Sequence, residues 1–128
     1  MATIRIPIRW RDLDDLGHVN QAVYHEYLEE GRGVLFAPLI EAEGSFQFVL
    51  ARIELDYRHE VRHADGFVDV ITTVEKIGRT SVTVLNEIRR TDGQLIAEGR
   101  AVMVAWDGSE RRSRVLTDWE KEQLGHKP

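Results

Sequence analysis

The chain has 128 residues, 42% of them hydrophobic and 30% charged, with ten Gly, three Pro and no Cys, the composition of one ordinary globular domain over residues 1–128. Without Cys there is no thiol nucleophile, no thiolate metal site and no disulfide framework. Seventeen Lys and Arg against 22 Asp and Glu leave a net charge of -5, which argues against nucleic acid as a partner, and no apolar run approaches the roughly 18 residues of a membrane helix, so the expected location is the cytoplasm, away from membranes.

In the first segment Ile4, Ile6, Ile8 and Trp10 alternate with Arg5 and Arg9, which predicts a strand with one buried face over 4–10. The next stretch, Arg11-Asp12-Leu13-Asp14-Asp15-Leu16-Gly17-His18-Val19-Asn20, is dense in acids and ends on a residue that favours helix N-caps. From Asn20 to about Ala37, Val23, Tyr24, Tyr27, Leu28, Gly31, Val34 and Leu35 recur at three and four, and Pro38 stops the pattern. One long helix is predicted, with His25, Glu26, Glu29, Glu30 and Arg32 on its outer face. Glu41 to Ser45 reads as a loop or a short helix.

The second half changes period. The stretches 46–57, 67–77, 80–90 and 94–106 are rich in Val, Ile, Thr and aromatics and are separated by Ala64-Asp65-Gly66, Gly78-Arg79 and Thr91-Asp92-Gly93, which predicts four long antiparallel strands in a meander. The tail reads as a basic loop, with Arg111, Arg112 and Arg114, followed by a capped turn at Thr117-Asp118-Trp119-Glu120. The fold class is α+β: one helix on a curved antiparallel sheet of about five strands. Such a sheet leaves edges uncovered, so a homo-oligomer is expected.

The string from Arg9 to Tyr24, with Asp12-Leu13-Asp14 and Gly17-His18-Val19-Asn20 at its centre, continues into Tyr27-Leu28-Glu29-Glu30-Gly31-Arg32. It resembles the signature of hotdog-fold acyl-CoA thioesterases of the 4-hydroxybenzoyl-CoA thioesterase type. The resemblance covers nearly the whole chain. It implies a long central helix wrapped by a curved sheet, a homodimer or homotetramer with sites between subunits, an acyl-CoA substrate and no cofactor.

The resemblance places the catalytic carboxylate at Asp14, which either attacks the thioester carbonyl or takes a proton from an attacking water. Independently, Asp12, Asp14 and Asp15 crowd three negative charges ahead of a helix, where one of them is expected to be partly buried with a shifted pKa; capping of the helix is the plainer reading of all three. The carbonyl oxygen needs a donor, and first-turn helix N–H groups are free. The resemblance puts that donor at about Gln21, ahead of Asn20 or Val19.

His18 is the rival general base, or else orients the loop that Gly17 turns. Asn20 caps the helix with a secondary role at the substrate, and Tyr24 belongs to the core with its hydroxyl near the acyl group. Glu29 and Arg32 are spaced to pair on the helix. Arg79, Thr80 and Ser81 are candidates for the phosphates of coenzyme A, as are Arg89, Arg90 and the Arg111–Arg114 loop. His59, His63 and His126 have no metal-ligand spacing, and no metal is expected. The alternative reading is a non-catalytic hotdog module that binds acyl-CoA or acyl carrier protein; a dehydratase would need a differently arranged His and acid.

Overall fold

The computed structural model describes residues 1–125. Strand β1 (Ala2–Pro7) buries Ile6 and, just beyond its end, Ile8. It does not extend to Trp10: the Arg9 N–H turns aside to the Asp12 carboxylate at 3.0 Å and Trp10–Asp12 form one 3-10 turn. A local acceptor has outcompeted the sheet for a backbone donor. Trp10 lies outside the core, 74% exposed, with its ring stacked on His63 at 3.8 Å.

Helix α1 (Gln21–Leu35) starts where expected, with the Asn20 side chain accepting from the Ala22 N–H at 2.9 Å. Tyr24, Tyr27, Leu28 and Gly31 face inward. A Cβ on Gly31 would lie 2.6 Å from Val70 Cγ1, so glycine is what lets the helix approach the sheet. Four expectations for this helical region fail. Val34 is exposed, whereas Arg32, assigned to the outer face, is 5% exposed with no partner for its buried Nη1 among the described residues. Arg32 makes no ion pair with Glu29 there; its aliphatic stem extends the inward stripe past Leu28, and burial pushes its pKa down. Pro38 does not end the helical region but sits in the first turn of α2 (Ala37–Glu43), where its missing N–H costs nothing.

The remaining strands are β2 (Phe48–Tyr57), β3 (Phe67–Ile77), β4 (Ser81–Arg90), β5 (Leu95–Asp107) and the two-residue β6 (Arg112–Ser113), before α3 (Asp118–Gln123). Every pairing is antiparallel, in the order β1-β3-β4-β5-β2, with β6 beside β5. Only β3, β4 and β5 form a meander. β2 joins the far edge, where Phe48 to Tyr57 run against Ala105 to Ala97, because the two helices carry the chain across the sheet before it re-enters. The core has two parts. Tyr24, Tyr27, Leu28, Val68, Val70 and Ile88 fill the space under α1, and Phe36, Leu39, Phe48, Val84, Met103 and Leu116 the space under α2 and α3.

Candidate active site

The acidic loop separates its carboxylates by environment. Asp12 is 1% exposed. It accepts from the Arg9 N–H, from Arg9 Nε at 3.1 Å and from the Tyr27 hydroxyl at 2.8 Å. Burial works to raise its pKa, but these donors outweigh it and hold Asp12 below the usual carboxylate range. Asp12 is therefore the acid with the shifted pKa, and it is consumed in tying the loop to α1. Burial and Asp12 together push the Tyr27 hydroxyl far up, so it remains a donor.

Asp14 is half-buried and differently held. Its Oδ1 accepts from the Leu16 N–H at 2.9 Å and the His18 N–H at 3.2 Å, and its own backbone N–H donates to the His18 carbonyl at 2.8 Å. Gly17, at φ +80°, makes the turn that lets the chain fold back over the carboxylate. Oδ2 has no hydrogen-bond partner among the described residues. The loop is pinned by Val19 N–H to the Val61 carbonyl at 2.7 Å and by a bridge between His18 and Arg62.

The helix start completes the arrangement. The N–H of Val19 is taken by Val61, that of Asn20 by the Asp12 carbonyl at 2.8 Å and that of Ala22 by the Asn20 side chain. Gln21 N–H alone among these four amides has no acceptor in the described residues, as expected of a first-turn helix donor. Asp14, His18, Val19, Asn20, Gln21 and Tyr24 line one cleft of about 490 Å³, together with Tyr57, Arg58, His59 and Glu60. Tyr24 is 4% exposed, and burial, aided by Tyr57, Glu60 and Asp14, pushes its hydroxyl up to about 12. Its ring stacks on Tyr57 at 5.2 Å, and the Tyr57 hydroxyl donates to the Gln21 carbonyl at 3.3 Å.

A thioesterase-like superfamily model matches residues 8–124. The chain belongs to the thioesterase-like superfamily. It is similar to a thioesterase from Thermus thermophilus solved with coenzyme A and Zn, at 32% identity over 96% of this chain and 91% of that one, with a TM-score of 0.86. A predicted thioesterase from Bacillus stearothermophilus is 31% identical over 96% and 92%, at a TM-score of 0.85. A 1,4-dihydroxy-2-naphthoyl-CoA thioesterase from Synechocystis, 18% identical over 96% and 94% with a TM-score of 0.80, shares the fold. No curated protein matches the chain. The curved antiparallel sheet and its helix are the hotdog fold.

In this superfamily member the other candidate residues lie elsewhere. Arg79, Thr80 and Ser81 follow β3, whereas the cleft lies at the end of the sheet where that 11-residue strand begins. Their backbones serve the sheet: the Arg79 carbonyl accepts from Leu116 and the Thr80 carbonyl from Ala105. Arg114 is paired with Glu120, and Arg89 with Glu87. No group of three or more His, Asp or Glu gathers among the described residues to hold a metal, and His126 lies outside them. Sequence reasoning missed Tyr57, Arg58, His59 and Glu60. They reach the cleft through long-range contacts, the His18–Arg62 bridge and the Val19–Val61 bond among them, between segments more than 40 residues apart; the single local signal was the end of strand alternation at Tyr57.

Proposed function

We propose that the protein is an acyl-CoA thioesterase, releasing a free acid and coenzyme A, with Asp14 and the Gln21 N–H as its reacting pair. The observation that carries this reading is one cleft in which a carboxylate oxygen and a helix-start amide are both left without partners among the described residues. Coenzyme A bound to the Thermus relative supports the ligand class. The Gln21 N–H polarises the thioester carbonyl and stabilises the charge that develops on its oxygen, a contribution of about 10²–10³-fold for one such donor. Asp14 Oδ2 attacks the acyl carbon to form an anhydride, or takes the proton of the water that does. Its Oδ1 bonds to two backbone amides hold the carboxylate in place for either route.

Gly17 and Asn20 shape the loop and the helix start, and Tyr24 lines the acyl end. The exposed edge strand β2, with Val49 and Leu50 open to solvent, supports assembly as a homodimer or homotetramer, since a second copy would pair the edge and cover these side chains. The test is thiol release from acyl-CoAs of increasing chain length and from aromatic acyl-CoAs, by native protein and Asp14→Asn. Release by the native protein alone is expected; equal trace release by both across the panel would sink the enzyme reading and favour the non-catalytic binding module. Single turnover in ¹⁸O-water tests the anhydride: label found in Asp14 requires an anhydride whose Asp14 carbonyl carbon is attacked by water, whereas label in the product acid alone is common to both routes.

A further inference from the structure

Thioester cleavage must also supply a proton to the departing sulfur, and the cleft holds a second pair of groups that the reaction of Asp14 and the Gln21 N–H leaves unused. His18 Nε2 lies 2.5 Å from Glu60 Oε2. Both side chains remain substantially exposed, at 38% and 47%, and both line the cleft beside Asp14 and Gln21. Glu60 also faces Arg62, whose Nε is 3.7 Å from its other oxygen. An exposed pair of this kind contributes little to stability. The segments it joins are already held by backbone bonds, Val19 to Val61 and His18 against Arg62, so anchoring does not account for it.

The contact bears on where the imidazole carries its proton. Nε2 and the carboxylate meet as a close ion pair rather than an aligned hydrogen bond, and the carboxylate charge favours a proton on Nε2 over a bare lone pair there, which leaves Nδ1 to exchange a proton. We infer that Glu60 is a positioning residue that holds His18 as the proton carrier for the leaving thiolate, an inference that rests on the thioesterase reading. As the C–S bond breaks with its electron pair on sulfur, the imidazolium gives its Nδ1 proton to that sulfur. The neutral ring is reloaded, by way of Asp14, with the proton that water loses when its oxygen bonds to a carbonyl carbon, of the thioester or of the anhydride. One turnover consumes one water, yields acid and thiol, and returns all three side chains to their starting states.

The test uses two substrates and a double-mutant cycle in the full-length protein. Glu60→Ala and His18→Ala each lower kcat on an acyl-CoA by about tenfold or more, with KM and melting temperature little changed, and Glu60→Asp recovers part of the loss. Combining the two alanines costs no more than His18→Ala alone, because Glu60 works only through His18. The acyl ester of an aryl thiol, whose low-pKa thiolate leaves without a proton, is turned over at nearly the native rate by both variants. Equal slowing on the two esters, additive losses, or an undiminished kcat in Glu60→Ala overturns the inference. If Asp14→Asn retains full activity on both esters, the thioesterase reading of the cleft fails instead.

Discussion

The two ends of the helical region carry two ionic clusters with opposite fates. Beyond the C-terminal end of α1, Arg114 holds Glu120 through two bonds of 2.8 Å, Glu120 also accepts from the Thr117 N–H at 2.9 Å, and Glu43 stands 3.8 Å from the same guanidinium. Glu120 is 1% exposed, and although burial opposes its ionisation, the bonds from Arg114 and Thr117 draw its pKa down to about 2. At the N-terminal end, Asp14, His18 and Glu60 stay open to solvent, and Asp14 keeps one oxygen unbonded. Burial and the doubly bonded Arg114–Glu120 pair make a clamp between α2, α3 and the segment after β6; spare valence and access leave the other end open to a ligand. The same difference divides Asp12 from Asp14, two residues apart.

This contrast is broken most sharply by Asp14→Asn. Acyl-CoA turnover is expected to fall by about 10³-fold or more, about 4 kcal/mol in the barrier, while the denaturant midpoint hardly moves. At the other end Glu120→Ala should do the reverse, destabilising the fold by about 1–3 kcal/mol because it removes two charge-assisted bonds from a part-buried Arg114 and leaves it only the longer contact with Glu43, and leaving kcat of the folded fraction intact. Its pH signature has a definite sign. Because the folded-state pKa of Glu120 is depressed, its stabilisation is complete above its ordinary value of 4.5 and is lost as pH falls towards 2. Glu120→Gln should therefore flatten the acid limb of a stability-against-pH curve measured by urea unfolding. Glu43, raised by burial and by Glu120, has the opposite sign: ionising it costs stability as pH rises.

An effect no larger is expected from Tyr27→Phe, which removes one donor from buried Asp12 and should cost about 1–3 kcal/mol in thermal unfolding. Because Asp12 ties the loop to the helix, part of that loss should appear as lower kcat, unlike the loss from Glu120→Ala. Smallest is Asn20→Ala, which uncaps α1 and should cost about 1 kcal/mol. It also frees the Ala22 N–H beside Gln21, so circular dichroism melts together with KM would show whether a second free amide changes substrate binding.

Much was legible in local pattern. Period-two runs located four of the five long strands within two residues of their ends, because alternation reports which face is buried wherever neighbours supply the ladder. The three-four stripe and Asn20 located α1, since cap and stripe are consequences of adjacent residues. The loop Asp12–Asn20 stood out as unusual because its acids, glycine and helix cap are contiguous, but capping explained those residues equally well, and it was the resemblance of the longer string that pointed to Asp14. Legibility failed where non-local competition decided. Asp12 drew the Arg9 N–H out of the sheet and ended β1 early, and Arg32 was drawn inward by the packing of α1 on the sheet. The position of β2 at the far edge depended on the route taken by two helices, which no strand's own pattern records.

Composition and periodicity thus determined the class of fold and the helix start, and the resemblance carried by the string from Arg9 to Arg32 pointed to Asp14 and the amide near Gln21. The tertiary structure alone decided which carboxylate is spent on Arg9 and Tyr27 and which remains available, which of four successive amides is left free, and that Glu60 meets His18. The physical reason is that propensities and caps act over three or four residues, whereas desolvation and hydrogen-bond saturation are set by whatever the folded chain brings alongside.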